Sequence, residues 1–214
     1  MPLKALNSDG LEAISYELAP ANYRQDWHCP HCQDPMSFVN ANTRIKHFRH
    51  LVDRQCDVEP ESEEHLILKR KMFDIFAQHH FTCKYEVRVG DGIADVLATG
   101  TNHTYAIECQ VSSISPDKVL ARNENYDKSN VGYFWVLHPE NYLNTVGDRE
   151  YLFRLKLIER AFMDEPWLLY YNPDSEWPEH IYFKPKYSEG GYWSEPGYCK
   201  TIFLIRYRKA LQFK

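Results

Sequence analysis

Asp95 and the pair Glu108-x-Gln110 are the side chains in this sequence whose types and spacing best suit chemistry. Glu108 and Gln110 sit in the run YAIECQVSSIS at 105–115. Strand alternation puts the acid and the amide on one side and Ile107, Cys109 and Val111 on the other. One side is apolar and the other presents oxygen ligands. Asp95 lies in the strand-like run just before, and hairpin neighbours are about 5 Å apart. In a suitable register the two acids would hold one hard divalent cation, Mg²⁺ or Mn²⁺, which takes such oxygen ligands. Facing a phosphodiester, a cation there would acidify a bound water and neutralise charge gathering on the phosphoryl oxygens. Glu64, on a helix-like segment upstream, could complete the ligand set directly or through water. Gln110 could orient the attacking water, but being uncharged it cannot supply a compensating positive charge. The same residues also have plain structural roles: Asp95 closing a turn, Glu108 pairing with Lys84 or Arg88 on an exposed sheet face, Glu64 as a helix-start charge, and Lys69 as solvated helix surface.

A second constellation is Cys29, Cys32, His47, His50 and Cys56, five sulfur or nitrogen donors where tetrahedral zinc takes four. We assign Cys29, Cys32, His50 and Cys56 as the ligands. His47 is three residues from His50, so in an extended segment it would point to the other face and act as a neighbour of the site. His28 and His31 are expected to be bystanders. A redox C-x-x-C normally opens a helix, whereas here Pro30 and further ligands follow. A closed centre of this kind stabilises a segment too small to fold alone. Cys83 and Cys109, in apolar runs, read as small core residues.

These groups need elements to position them. Ser62 after Pro60 reads as the N-cap of a helix with Leu66, Phe73, Ile75 and Phe76 on its apolar stripe, and Glu61, Glu63 and Glu64 crowd its positive end. Three strand-like runs follow at 81–89, 92–99 and 104–112, joined by GDG and GTNH, which have hairpin chemistry. Ser115 and Pro116 open a second helix to Lys128, and VGYFWVLHP at 131–139 reads as a buried strand. The order is helix, three strands, helix, strand. Before it lies a strand-like EAISYELA at 12–19. After it come a helix expected at 148–163, an aromatic-rich segment and a last strand-like TIFLIRYR.

The 214 residues carry a formal charge of −5, yet the final fifteen include Lys200, Arg206, Arg208, Lys209 and Lys214 with no acid, a basic tail that could touch phosphates or simply be solvated. No apolar h-region and no membrane-length apolar run is present, which points to the cytoplasm.

In ordered blocks from about residue 25 to 138 the chain resembles the competence protein CoiA family: CPHC, HFRH, ESEEHLILK, ADV, AIECQVSSIS, then Arg122 and Tyr126, then YFWVL. That resemblance implies a restriction-endonuclease-like, PD-(D/E)xK α/β core in the order α-β-β-β-α-β. It would divide the chain into a zinc-binding module at 1–60, a nuclease core at 61–139 and an α+β extension at 140–214. Asp95 and Glu108 would be the metal-binding acids, Gln110 the occupant of the usual lysine position, and Glu64 the helix acid. Ser112 and Ser115 would support the active site and Arg122 would contact phosphate. Ala94 stands where the proline that names the superfamily is usual. The expected function is metal-dependent hydrolysis of DNA during uptake, recombination or defence, with DNA as partner and a homo-oligomer or a protein partner as further possibilities. The alternative is a nucleic-acid-binding protein that keeps the fold with a silent site, which the missing lysine motivates.

Overall fold

The computed structural model describes residues 2–40, 45–52, 56 and 61–138, and beyond these the backbone of five short strands. The first elements are strands β1 (Lys4–Leu6), β2 (Glu12–Ile14), β3 (Trp27–His28), β4 (Pro35–Val39) and β5 (His47–His50), paired antiparallel in the order β2-β1-β3-β4-β5. Of the run at 12–19, only Glu12–Ile14 is strand. This sheet buries Ala5, Leu18, Trp27, Cys29, Met36 and Phe48, a cluster too small to hold a domain unaided. Part of the segment instead joins the next layer. Leu3 is fully buried in the main core, and the Tyr16 and Tyr85 hydroxyls are hydrogen-bonded at 2.6 Å.

Helix α1 (Glu63–Gln78) starts where expected, because the Ser62 side chain accepts from the His65 amide at 3.3 Å and Glu63 and Glu64 lie at the positive end. The strands β6 (Thr82–Val89), β7 (Gly92–Thr99) and β8 (Thr104–Gln110) follow as an antiparallel meander. At the first turn Gly90 has φ +55°, and a Cβ there would meet Asn125 Oδ1 at 2.3 Å, so no larger residue fits. Helix α2 (Pro116–Lys128), capped by Ser115, returns the chain so that β9 (Gly132–Leu137) lies parallel to β8, from Tyr105↔Gly132 to Gln110↔Leu137.

The sheet lies between the two helices. Leu66, Leu68, Met72, Ile75 and Phe76 of α1 pack with Tyr85, Val96, Ala98, Ile107, Cys109 and Val136 on one face. On the other face Tyr126 of α2 packs with Val89, Ala94 and Ala106. Each large apolar side chain fully buried this way contributes about 1.5–3 kcal/mol, which is why two amphipathic helices suffice to cover both faces.

Beyond residue 139 the described strands are β10 (Phe153–Arg154), β11 (Trp167–Tyr170), β12 (Glu179–Tyr182), β13 (Lys186–Ser188) and β14 (Gly191–Ser194). Two of them extend the main sheet. β11 pairs parallel to β9 through Leu169↔Val136 and Tyr170↔Leu137, and β12 pairs antiparallel to β11, giving the order β12-β11-β9-β8-β7-β6. The other three form a small sheet, β10-β14-β13. The helix expected at 148–163 is corrected at Phe153–Arg154, which pairs as a strand with β14. The run TIFLIRYR lies outside the described residues. Among the described residues no helix is long and apolar enough to cross a membrane.

Candidate active site and cysteine-histidine centre

The candidate site forms where regular pairing stops. β7 and β8 pair from Thr99↔Thr104 up to Val96↔Ile107 and then part. Past that point the Cys109 amide donates to Asp95 Oδ2 at 2.8 Å, so a side chain takes the place of a ladder bond. On the other side of β7 the positions opposite each other between Tyr85↔Val96 and Val87↔Ala94 are Glu86 and Asp95, and they drop out of the ladder. Glu86 has φ 51°, a left-handed conformation that costs a residue with a Cβ about 1–3 kcal/mol. The kink changes the alternation: Val96 faces α1, whereas Ala94, two residues away, packs on the α2 face. Both acids are released from the sheet pattern at the same point.

Glu86 and Asp95 meet the buried end of α1. Lys69 is 0% exposed, and its Nζ lies 2.7 Å from Glu61 Oε1, 2.9 Å from Glu86 Oε1 and 3.7 Å from Asp95 Oδ1. The expectation of a solvated Lys69 is thereby corrected. A buried ammonium is tolerated only when paired. Burial alone would lower the Lys69 pKa, but Glu86, Glu61 and Asp95 outweigh it and hold the amine charged. The His65 Nε2 lies 3.1 Å from Asp95 Oδ2, and its Nδ1 3.6 Å from Glu61 Oε1. Burial works against the Asp95 carboxylate, yet His65 and Lys69 hold it well below the usual range. Burial pushes the Glu61 carboxyl up, with Lys69 pulling the other way. Glu86 Oε1 also accepts from the Leu3 amide at 3.0 Å, tying the N-terminal segment to the site.

Glu108 is 1% exposed, which corrects the picture of a surface partner for Lys84 or Arg88. Its Oε2 accepts from Arg122 Nη1 at 2.8 Å and its Oε1 from the Tyr126 hydroxyl. Burial and the neighbouring Asp95 charge push its carboxyl up to about 7, against the pull of Arg122 and Tyr126. Gln110 donates to the Ser112 carbonyl at 2.6 Å, which ties down the loop leading to α2. Ser115 caps that helix, its side chain accepting from the Lys118 amide. Glu64 is exposed and does not line the cleft, because the helix turns His65 and Lys69 inward instead, and Glu61, just before the cap, meets Lys69 there.

These groups border a cleft of about 770 Å³ lined by Glu61, His65, Glu86, Asp95 and Gln110 and also by Arg88, Lys118 and Arg122. Two carboxylate oxygens in it, Glu61 Oε2 and Glu86 Oε2, are buried without a hydrogen-bond partner among the described residues. Surplus negative charge with orphaned acceptors fits a cation. Sequence reasoning missed Glu61, His65 and Glu86. His65 and Lys69, one turn apart just after the Ser62 cap, were a readable sign of one polar helix face.

The second centre assembles the four residues assigned from the sequence. One donor atom from each of Cys29, Cys32, His50 and Cys56 lies within 4.8 Å of the others. The Cys29–Cys56 sulfurs are 3.8 Å apart and Cys32 Sγ is 3.4 Å from His50 Nε2. Zn–S bonds of about 2.3 Å and Zn–N bonds of about 2.0–2.1 Å in a tetrahedron put such atoms roughly 3.5–3.8 Å apart, so the set could hold zinc. Burial pushes the Cys29 thiol up to about 12, so without a cation the sulfur keeps its proton. His47 is buried, its Nδ1 2.9 Å from the Ile45 carbonyl, and it is not among the four.

A kinked sheet between two helices, with a carboxylate-rich cleft where its strands part, defines an α/β protein with a candidate cation-binding site. The family described as "Competence protein CoiA, nuclease-like domain" matches residues 61–188, well over half of the chain, and this protein belongs to the CoiA family. Competence protein CoiA of Bacillus subtilis (strain 168) is 27% identical over 118 residues, covering 53% of this chain and 32% of the relative. The match thus spans about a third of the length of that curated relative.

Proposed function

We propose that this chain is a metal-dependent deoxyribonuclease with a PD-(D/E)xK core, acting on DNA in uptake, recombination or defence. The observation that supports this reading is the parting of β7 and β8 at Asp95, beside a cleft that Asp95 lines together with Arg88, Lys118 and Arg122, while Glu108 lies buried behind it and feels the Asp95 charge. A cleft lined by both acids and cations suits a phosphodiester backbone with a bound metal ion. When bound, a divalent cation would acidify water and neutralise phosphoryl charge. Asp95, kept ionised by His65 and Lys69, is the central acid. Glu108, gripped by Arg122 and Tyr126, is the second. Gln110, at the usual lysine position, holds the Ser112 loop in place. The cysteine-histidine centre is structural and binds zinc, bracing the N-terminal sheet whose Leu3 amide reaches Glu86. The relative's name supports a place in competence.

The second reading is a DNA-binding protein with a silent site. It is favoured by the amide at Gln110 and by both Glu108 oxygens being engaged. Incubation of the purified chain with single- and double-stranded DNA and Mg²⁺ or Mn²⁺, beside Asp95→Asn and Glu108→Gln, decides between them. Cleavage lost in both variants supports the nuclease. Cleavage that persists in both removes the proposed site, and binding without cleavage by the wild type selects the second reading.

A further inference from the structure

Glu61, His65 and Asp95 form a donor set of their own: one ligand atom from each lies within 4.8 Å of the others. Glu61 precedes the Ser62 cap and lies against the first turn of the helix, where its Oε1 is 3.6 Å from His65 Nδ1. The Glu61 side chain, which lines the cleft, is only 6% exposed, and its Oε2 is buried with no hydrogen-bond partner among the described residues. A desolvated carboxylate oxygen left unpaired is costly, and a cation would satisfy it. Charge points the same way. Glu61, Glu86 and Asp95 all lie within 3.7 Å of the Lys69 ammonium, so acids outnumber that cation and a divalent ion would offset the excess. Glu108 is placed differently: it does not line the cleft, and its two oxygens accept from Tyr126 and Arg122.

We propose that the divalent cation is held by Glu61, His65 and Asp95, with Lys69 balancing the charge of the acids and Glu108 held back by Arg122 and Tyr126. An imidazole nitrogen among the ligands selects a first-row transition ion such as Mn²⁺ over Mg²⁺, which favours oxygen alone. The inference rests on the nuclease reading only for what the ion does once bound, not for whether it binds.

The test is Mn²⁺ binding to the full chain followed by electron paramagnetic resonance, with Mg²⁺ as competitor, in the wild type, His65→Gln, Glu61→Gln and Glu108→Gln. Wild-type protein is expected to bind Mn²⁺ with electron–nuclear coupling to an imidazole nitrogen, and at least ~10-fold more tightly than Mg²⁺. His65→Gln should abolish the coupling and weaken Mn²⁺ by ~10-fold or more, while Mg²⁺ changes by less than about 3-fold. Glu61→Gln should weaken both ions, and Glu108→Gln should leave Mn²⁺ affinity within about 3-fold. The wild-type spectrum needs no variant to fold, and absence of nitrogen coupling there overturns the assignment. Coupling that survives in His65→Gln, or Mn²⁺ binding lost in Glu108→Gln but not in His65→Gln, overturns it as well. Cleavage supported by an ion without nitrogen coupling would sink this ligand set and spare the nuclease. A nitrogen-coupled ion in a protein that never cleaves DNA would do the reverse.

Discussion

The Cys109 amide donates to Asp95 Oδ2 across 2.8 Å at the point where β7 and β8 cease to pair. Asp95 therefore has two separable duties, as hydrogen-bond acceptor for the parted strand and as charge in the cleft. Asp95→Asn keeps an acceptor oxygen and removes the charge. It is expected to lower DNA cleavage by about 100-fold or more, and to lower stability in urea through the lost charge contacts with His65 and Lys69. Asp95→Ala removes both and should cost an additional ~1–3 kcal/mol, because the buried Cys109 amide loses its partner. Equal unfolding midpoints for the two variants would contradict the structural duty.

Lys69 is the counter-ion of Glu61, Glu86 and Asp95. Lys69→Met leaves those acids facing one another without it, and unfolding should become easier by about 3–5 kcal/mol, the usual result of stripping one partner from a buried ionic group. Adding Glu86→Gln to Lys69→Met should recover part of that loss. A Lys69→Met protein as stable as the wild type at neutral pH would refute the role.

The raised Glu108 carboxyl makes stability depend on pH. In the unfolded chain Glu108 titrates at its ordinary 4.5, in the fold at about 7. Below 4.5 both states carry the proton and the contribution is intact. As pH rises from 4.5 towards 7 the unfolded chain releases its proton first, so stability is lost, and above about 7 the loss is complete. His65, whose raised pKa acts in the same direction, is present in both the wild type and Glu108→Gln, so the difference between them reports mainly on Glu108. Without added Mg²⁺ or Mn²⁺, the wild type should lose on the order of 2 kcal/mol relative to Glu108→Gln between pH 5 and pH 8. Parallel pH profiles would disprove the burial argument.

The Cys29, Cys32, His50 and Cys56 centre is expected to purify with about one zinc per chain. Chelation or Cys32→Ser should release it and lower the thermal midpoint by roughly 10 °C or more, since metal affinity at such a centre is also folding free energy. Elemental analysis under reducing conditions checks the first statement and calorimetry the second.

Much of this layout was legible in the residues. The succession from α1 to β9 follows from helix caps at Ser62 and Ser115 and turn glycines such as Gly90, which are local signals. The four-residue sulfur and nitrogen set could be assigned because the ligands are few and closely spaced. Lys69 could not be placed, because its burial depends on Glu86 and Asp95 arriving from two strands that are distant in sequence. Glu64 illustrates the opposite case: the first turn of a helix holds several acids, and only the final packing against β7 decides which of them turns inward. The kink at Glu86 left no sign in the sequence, since a glutamate in a left-handed conformation looks like any other strand glutamate.

The parallel contact between β9 and β11 bears on how the protein can be shortened. Stopping the chain after residue 139 would strip the amides and carbonyls of the β9 rim of their partners and leave a fresh sticky border open to other molecules. A shortened product ending there is expected to precipitate, whereas one reaching past β12 keeps that border covered.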